Sequence, residues 1–120
     1  MKFILSILLI MAMLSCQQNK VFDSKDFTAD TSALDYNFHL SVYQVTGGYG
    51  YKISVDGNKL INQPFIPAID GKNPFVTPQN AFDCGWFVVK LLSAGNTLPS
   101  VTVDDLKNLH VQLPESNNNN

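Results

Sequence analysis

Arginine is missing altogether: all eight basic residues of the 120-residue chain are lysines. The planar guanidinium is the group of choice for phosphate and nucleic-acid recognition, and such binding leaves a clustered basic patch as its footprint. Eight lysines against ten acidic residues give a formal charge of −2, with neither feature present. No nucleic acid is therefore expected as a partner. Glutamate occurs once, at Glu115, so the two separated carboxylates of a glycosidase would have to be aspartates. Asp104 and Asp105 are adjacent, at a place where a helix starts and negative charge is favourable anyway. Histidine is limited to His39 and His110, and cysteine to Cys16 and Cys84, with no spacing that suits a metal ion. No metal and no cofactor is expected, and no internal repeat is visible.

Long hydrophobic runs are also scarce. The one at the start, residues 3–14, is about a dozen residues, short of the ~20 that a spanning helix needs. With Lys2 before it and Leu14-Ser15-Cys16 after it, the run reads as a signal peptide over residues 1–15 ending in a lipobox. Met13 stands where such motifs usually carry leucine, and an ordinary secretory signal is the alternative. Cleavage would leave Cys16 as a lipidated first residue and, with Lys2 gone, take the formal charge from −2 to −3. Acyl chains contribute roughly 0.8 kcal/mol per buried methylene, enough for two or three of them to anchor the protein to a membrane. Cys84 is then the only thiol left, and it can form no internal disulfide.

Residues 16–33 are polar without a sustained apolar period, the composition of a flexible tether. Residues 114–120 end in four asparagines and read as a disordered tail. One domain of about 80 residues lies between them, over 34–113. Phe38, Leu40 and Val42 alternate with polar residues, as do Tyr49, Tyr51, Ile53 and Val55, which predicts two half-buried strands. Asp56-Gly57-Asn58 is a hairpin turn. A third strand over 59–66 carries Pro64, which belongs at a strand end or an edge. Thr77-Pro78 reads as an N-cap and first helical residue, opening a helix that Gly95 ends. Its core stripe is Ala81, Cys84/Gly85, Val88 and Leu91/Leu92. A capping-box pattern at Thr102–Asp105 starts a short second helix. Strands in one block and helices in the next make the class α+β. The expected architecture is an antiparallel sheet of three to four strands, the main helix on one face and a short C-terminal helix.

The order of Gly47-Gly48-Tyr49-Gly50-Tyr51-Lys52-Ile53, Asp56-Gly57-Asn58-Lys59-Leu60-Ile61 and Gln63-Pro64-Phe65-Ile66-Pro67-Ala68 carries a resemblance. Phe75, Ala81, Val88-Val89-Lys90, Leu98-Pro99, Thr102 and Leu106 follow in the same order. The chain resembles a family of small Bacteroidota lipoproteins catalogued as domain of unknown function 4907. The resemblance implies a bacterial envelope lipoprotein and brings no activity and no catalytic residues with it.

Cys84 with His39 or His110 would make a thiol–imidazole pair only in an open, electropositive setting. Its place on the core stripe predicts a buried structural residue instead. His39 alternates with core positions and should face solvent, and His110 sits at the end of the last helix. The glycines at 47, 48 and 50 are no phosphate loop, because they lie between two strands. Gly50 instead marks a close approach of a backbone or a ring.

Tyr43, Gly50, Gln63, Phe82 and Trp86 form the candidate binding surface: exposed aromatics with an amide between them, on a helix apolar beyond one stripe. Completion of a small core is the competing reading of the same aromatics. The expected function is a non-catalytic envelope lipoprotein, an interaction or accessory module that binds a protein partner or itself. A glycan or peptidoglycan-fragment binder comes second, and a small envelope hydrolase or hydrolase inhibitor third. The expected place is the outer membrane, facing the periplasm.

Overall fold

The structure, a computed structural model, describes residues 21–115. The expected signal peptide, Cys16 and its expected lipidation, and residues 116–120 of the expected tail at 114–120 lie outside the described residues. Among the described residues no helix is long and apolar enough to cross a membrane.

Alternation builds the sheet. In β2 (Tyr36–Val45) and β3 (Gly48–Val55), Phe38, Leu40, Val42, Tyr51 and Ile53 share one face, and all five are buried. Antiparallel register sets Leu40 opposite Ile53 and Val42 opposite Tyr51. Each such side chain withdrawn from water contributes roughly 1.5–3 kcal/mol before its ordering entropy is set against it. Asp56 and Gly57, both at positive φ, make the hairpin turn into β4 (Asn58–Gln63), an edge strand that stops one residue before Pro64. The chain then folds back so that Tyr49 and Phe75 exchange backbone hydrogen bonds of 2.9 and 3.0 Å along the β4 side of β3.

The polar segment 16–33, read from composition as a tether, is not one over its second half. Ser24–Phe27 form a 3-10 turn capped by the Asp23 carboxylate, and Thr28–Ala33 form β1, paired antiparallel with β2 from Thr28↔Ser41 to Ala33↔Tyr36. The sheet therefore has four strands in the order β1-β2-β3-β4. The domain starts at Phe22 rather than near Leu34, because Phe22 and Phe27 pack against the core cluster. The two-residue turn between β1 and β2 puts Leu34 and Asp35 at φ 53° and 65°.

Helix α1 (Pro78–Ser93) covers the buried face of the sheet. The Thr77 hydroxyl accepts from the Asn80 amide at its start, and Pro78 spends no donor there. At its end Gly95 adopts φ +93°, so its own amide reaches the Leu92 carbonyl and the Asn96 amide reaches that of Leu91, a Schellman closure. The buried side is Ala81, Cys84, Gly85, Val88, Val89 and Leu92, which adds Val89 to the expected stripe and leaves Leu91 half-buried. Leu106 of α2 (Val103–Asn108) and Val111 join the same buried cluster, with Val101, Leu109 and Leu113 packed against it. The Gln112 amide donates to the Asn80 side chain, tying this segment to the first turn of α1. Helix α2 opens on the expected capping box of Thr102 and Asp105, and closes with His110 in the left-handed region at φ 58°.

Two ends of the domain follow from this topology. At the entry end the described chain begins, α1 starts, and Tyr49 meets Phe75. At the far end lie the Leu34–Asp35 and Asp56–Gly57 turns and the C-terminus of α1.

Candidate functional site

The five residues expected to share a binding surface do not share one. Tyr43 and Gly50 lie opposite each other on the open face of the sheet, away from the helix. Phe82 and Trp86 sit on α1, on the other side of the sheet, stacked on each other at 6.4 Å with a 5° angle between rings. Both are half-buried and pack against the core cluster.

Around Gly50 on the open face, the space and the nearest side chains are taken up within the same chain. A Cβ placed on Gly50 would stand 2.7 Å from the Gln63 carbonyl oxygen, 2.8 Å from Pro64 Cα and 3.1 Å from Tyr43 Cζ. Gly50 thus marks a close approach, and its occupants are the neighbouring ring and the backbone leaving β4. The Tyr43 hydroxyl donates to the Asn62 side-chain oxygen, and the Lys52 ammonium lies 4.5 Å from the centre of the Tyr43 ring. Partial burial raises the Tyr43 phenol above its ordinary value. Gln63 pairs with Tyr51 and so lies on the helix side of the sheet, where its amide donates to the Phe65 carbonyl at 2.7 Å.

An apolar groove opens instead at the far end, with a volume of about 380 Å³. Leu34, Tyr36, Phe38, Val55, Leu60 and Leu92 line it, and the turn at 95–97 closes one side. No charged side chain lines it. A second hollow shares Leu60, Leu92 and Thr97 with it and runs on to Leu98 and Pro99. Leu60 is 55% exposed and Leu98 87%, and Leu34 and Tyr36 are exposed beside them. Sequence reasoning missed all four, because they come from a turn, two strands and a loop. Local patterning shows only isolated apolar residues, which are common on any surface.

Residues 41–108 match the family described as a domain of unknown function (DUF4907). That is more than half of the chain. The chain belongs to the DUF4907 family. Neither the curated proteins nor the solved structures contain a match to it. The DUF4907 match runs from the middle of β2 to the end of α2, so it holds the Gly50 cluster, α1 and the Leu60–Leu92 side of the groove. The 3-10 turn, β1 and the Leu34–Tyr36 wall precede it.

None of the remaining candidates of this DUF4907 chain lines the groove. Cys84 is fully buried, and burial, the first cause, pushes its thiol up to about 12. The nearby Asp105 and Asp83 charges push the same way, while a hydrogen bond with Tyr51 acts against them. The Tyr51 phenol is itself driven far above its ordinary value by burial. A thiolate nucleophile needs the opposite environment. His39 faces solvent from β2, and its Nδ1 stands 2.6 Å from Asp30 Oδ1 on β1, an exposed pair. Asp105 spends one carboxylate oxygen on the Thr102 amide at 2.9 Å. Among the described residues no group of three His, Cys, Asp or Glu side chains is placed to hold a metal ion.

Proposed function

We propose that this protein is a non-catalytic lipoprotein of the bacterial envelope, anchored through Cys16, whose domain binds the apolar side chains of a protein partner in the far-end groove. The groove is the observation that carries the reading. Its volume falls within the range of ligand sites, its lining is uncharged, and Leu34, Tyr36, Leu60 and Leu98 stand exposed around it. Contiguous exposed apolar surface on a small domain marks an interaction site more often than chance exposure does. The lipobox and the family resemblance support the envelope address, in a Bacteroidota cell on the periplasmic side of the outer membrane. A glycan platform has less support, since the ring of Tyr43 is already engaged by Asn62 and Lys52.

A photo-crosslinking amino acid at Leu98, in the lipidated protein in its own envelope, tests the reading. One discrete protein adduct is expected, lost in the Leu60→Asp background while the melting temperature holds. An absent adduct, or one indifferent to Leu60→Asp, overturns it.

A further inference from the structure

The chain is held down much earlier than its composition predicts, and this changes the distance between domain and membrane. The Phe22 ring lies 5.0 Å from that of Tyr49 and 5.9 Å from that of Phe27, and the Asp23 carboxylate accepts from the Lys25 amide. From Phe22 onward the backbone is therefore part of the domain. Only five residue steps separate Cys16 from Val21, which at full extension is about 17–18 Å. A leash running to residue 33 would reach roughly three times as far.

The entry end carries apolar surface of its own. Val21 is 85% exposed and Val76 49%, and a hollow at this end is lined by Val21, Phe22, Phe27, Tyr49 and Pro78 together with Asp23 and Asp26. Two carboxylates, Asp23 and Asp26, stand there against one lysine, Lys25, so this end is net negative and has no electrostatic pull toward anionic lipid. The far-end groove lies at the other end of α1, whose sixteen residues span about 24 Å.

We infer that the entry end, with Val21, Phe22 and Val76, rests on the polar–apolar interface of the bilayer that holds Cys16, and that the far-end groove points away from it. The partner of this surface is the lipid itself, engaged by apolar side chains and thus little affected by salt. The inference rests on the lipidation of Cys16 and deepens that reading: anchor and groove occupy opposite ends of one short rigid body.

The test uses full-length, lipidated protein reconstituted into phosphatidylcholine vesicles with brominated acyl chains, which quench fluorophores at the interface. An environment-sensitive dye is placed on Val76→Cys or on Leu98→Cys; Cys84 is buried and stays unlabelled. Flotation with the vesicles is expected, and it should fail in a Cys16→Ala control. Quenching at position 76 should exceed that at 98 severalfold, at low salt and at 0.5 M salt alike, with the emission of Trp86 unchanged. Protein that floats but is quenched equally at 98, or at neither position, overturns the orientation and leaves the lipidation standing. Quenching of Trp86 means the domain lies on its helix face, and overturns it too. A dye response at 76 that appears equally without bromine and grows with protein density reports a second copy at that end, which also overturns it. Protein that does not float removes the anchor and the inference together.

Discussion

The open-face cluster around Gly50 and the far-end groove are opposites in how they meet their own chain. At Gly50 the space above the backbone is filled by the Tyr43 ring and the backbone at 63–64, and the nearest side chains are taken up within the domain. In the groove Leu34, Tyr36 and Leu60 border an open volume and stay exposed, with only Leu92 and the turn at 95–97 on its other side. A glycine between aromatic residues looks like a recognition motif in sequence, yet here it is the fitting that lets two strands and a ring close on each other. The surface that does look outward is assembled from residues with no motif between them.

Gly50→Leu separates the two regions most sharply. Two of the three atoms within reach of an added Cβ belong to the backbone, at 2.7 and 2.8 Å, so they cannot swing aside as a side-chain tip would. Overpacking of this kind typically costs 1–3 kcal/mol, and more when backbone must move. The expected loss is more than about 3 kcal/mol in denaturant unfolding, which for a domain of this size approaches the whole stability. A Gly50→Leu protein that melts like the wild type would mean that the cluster has free space, and the contrast with the groove would vanish.

Cys84 carries the next largest effect. Cys84→Ala takes the hydrogen-bond partner from the buried Tyr51 phenol, at a cost on the order of 1–3 kcal/mol, whereas Cys84→Ser keeps a group that can bond it and should cost less. The same site sets a pH dependence. The thiol is raised in the folded state from about 9 to about 12, so above pH 9 the unfolded chain gives up a proton that the folded chain keeps. The contribution of this site to stability is thus constant below about pH 9 and falls as pH rises from there toward 12, with Tyr51 adding to the fall. Cys84→Ala should shallow that slope. Unfolding curves at pH 7.5, 9 and 10.5 measure it, and a slope identical in both proteins would show that the thiol is not shielded as its burial implies.

What could be read from sequence was what local chemistry writes. Thr77-Pro78 and Gly95 bracket α1 because caps act within one turn, and Asp56-Gly57 makes its hairpin because both residues tolerate positive φ. The α+β class and the burial of Cys84 followed from periodicity. Strand β1 was missed because Thr28-Ala29-Asp30-Thr31-Ser32-Ala33 holds no large apolar residue, so its place is set by the edge of β2 and not by its own pattern. Its turn was hidden as well, since Leu34 takes a positive φ that sequence reasoning reserves for Gly, Asn or Asp. The same two gaps concealed the groove, one wall of which is that turn. The apolar excess of α1 was legible, but the entry of Leu106 and Val111 into the same core depends on a tertiary return of the chain.

The smallest effect on stability is expected at the groove, and it bears most directly on the comparison. Leu98 is 87% exposed, and the hydrogen bond that fixes it runs from its backbone amide to the Asn96 side chain at 3.1 Å, which a substitution leaves in place. Leu98→Ser should therefore change the unfolding free energy by no more than about 0.5 kcal/mol, the range of surface positions without special contacts. Binding should respond differently, because an apolar side chain leaves the rim of the groove while the fold stays as it was. An apolar dye whose emission rises on entering the groove should lose affinity severalfold in Leu98→Ser and Leu60→Ser, and keep it in His39→Ala, which removes only an exposed contact with Asp30 on the open face. If Leu98→Ser instead costs more than 1 kcal/mol, the residue is covered by the rest of the intact chain, and the groove joins Gly50 among the places the protein has already filled.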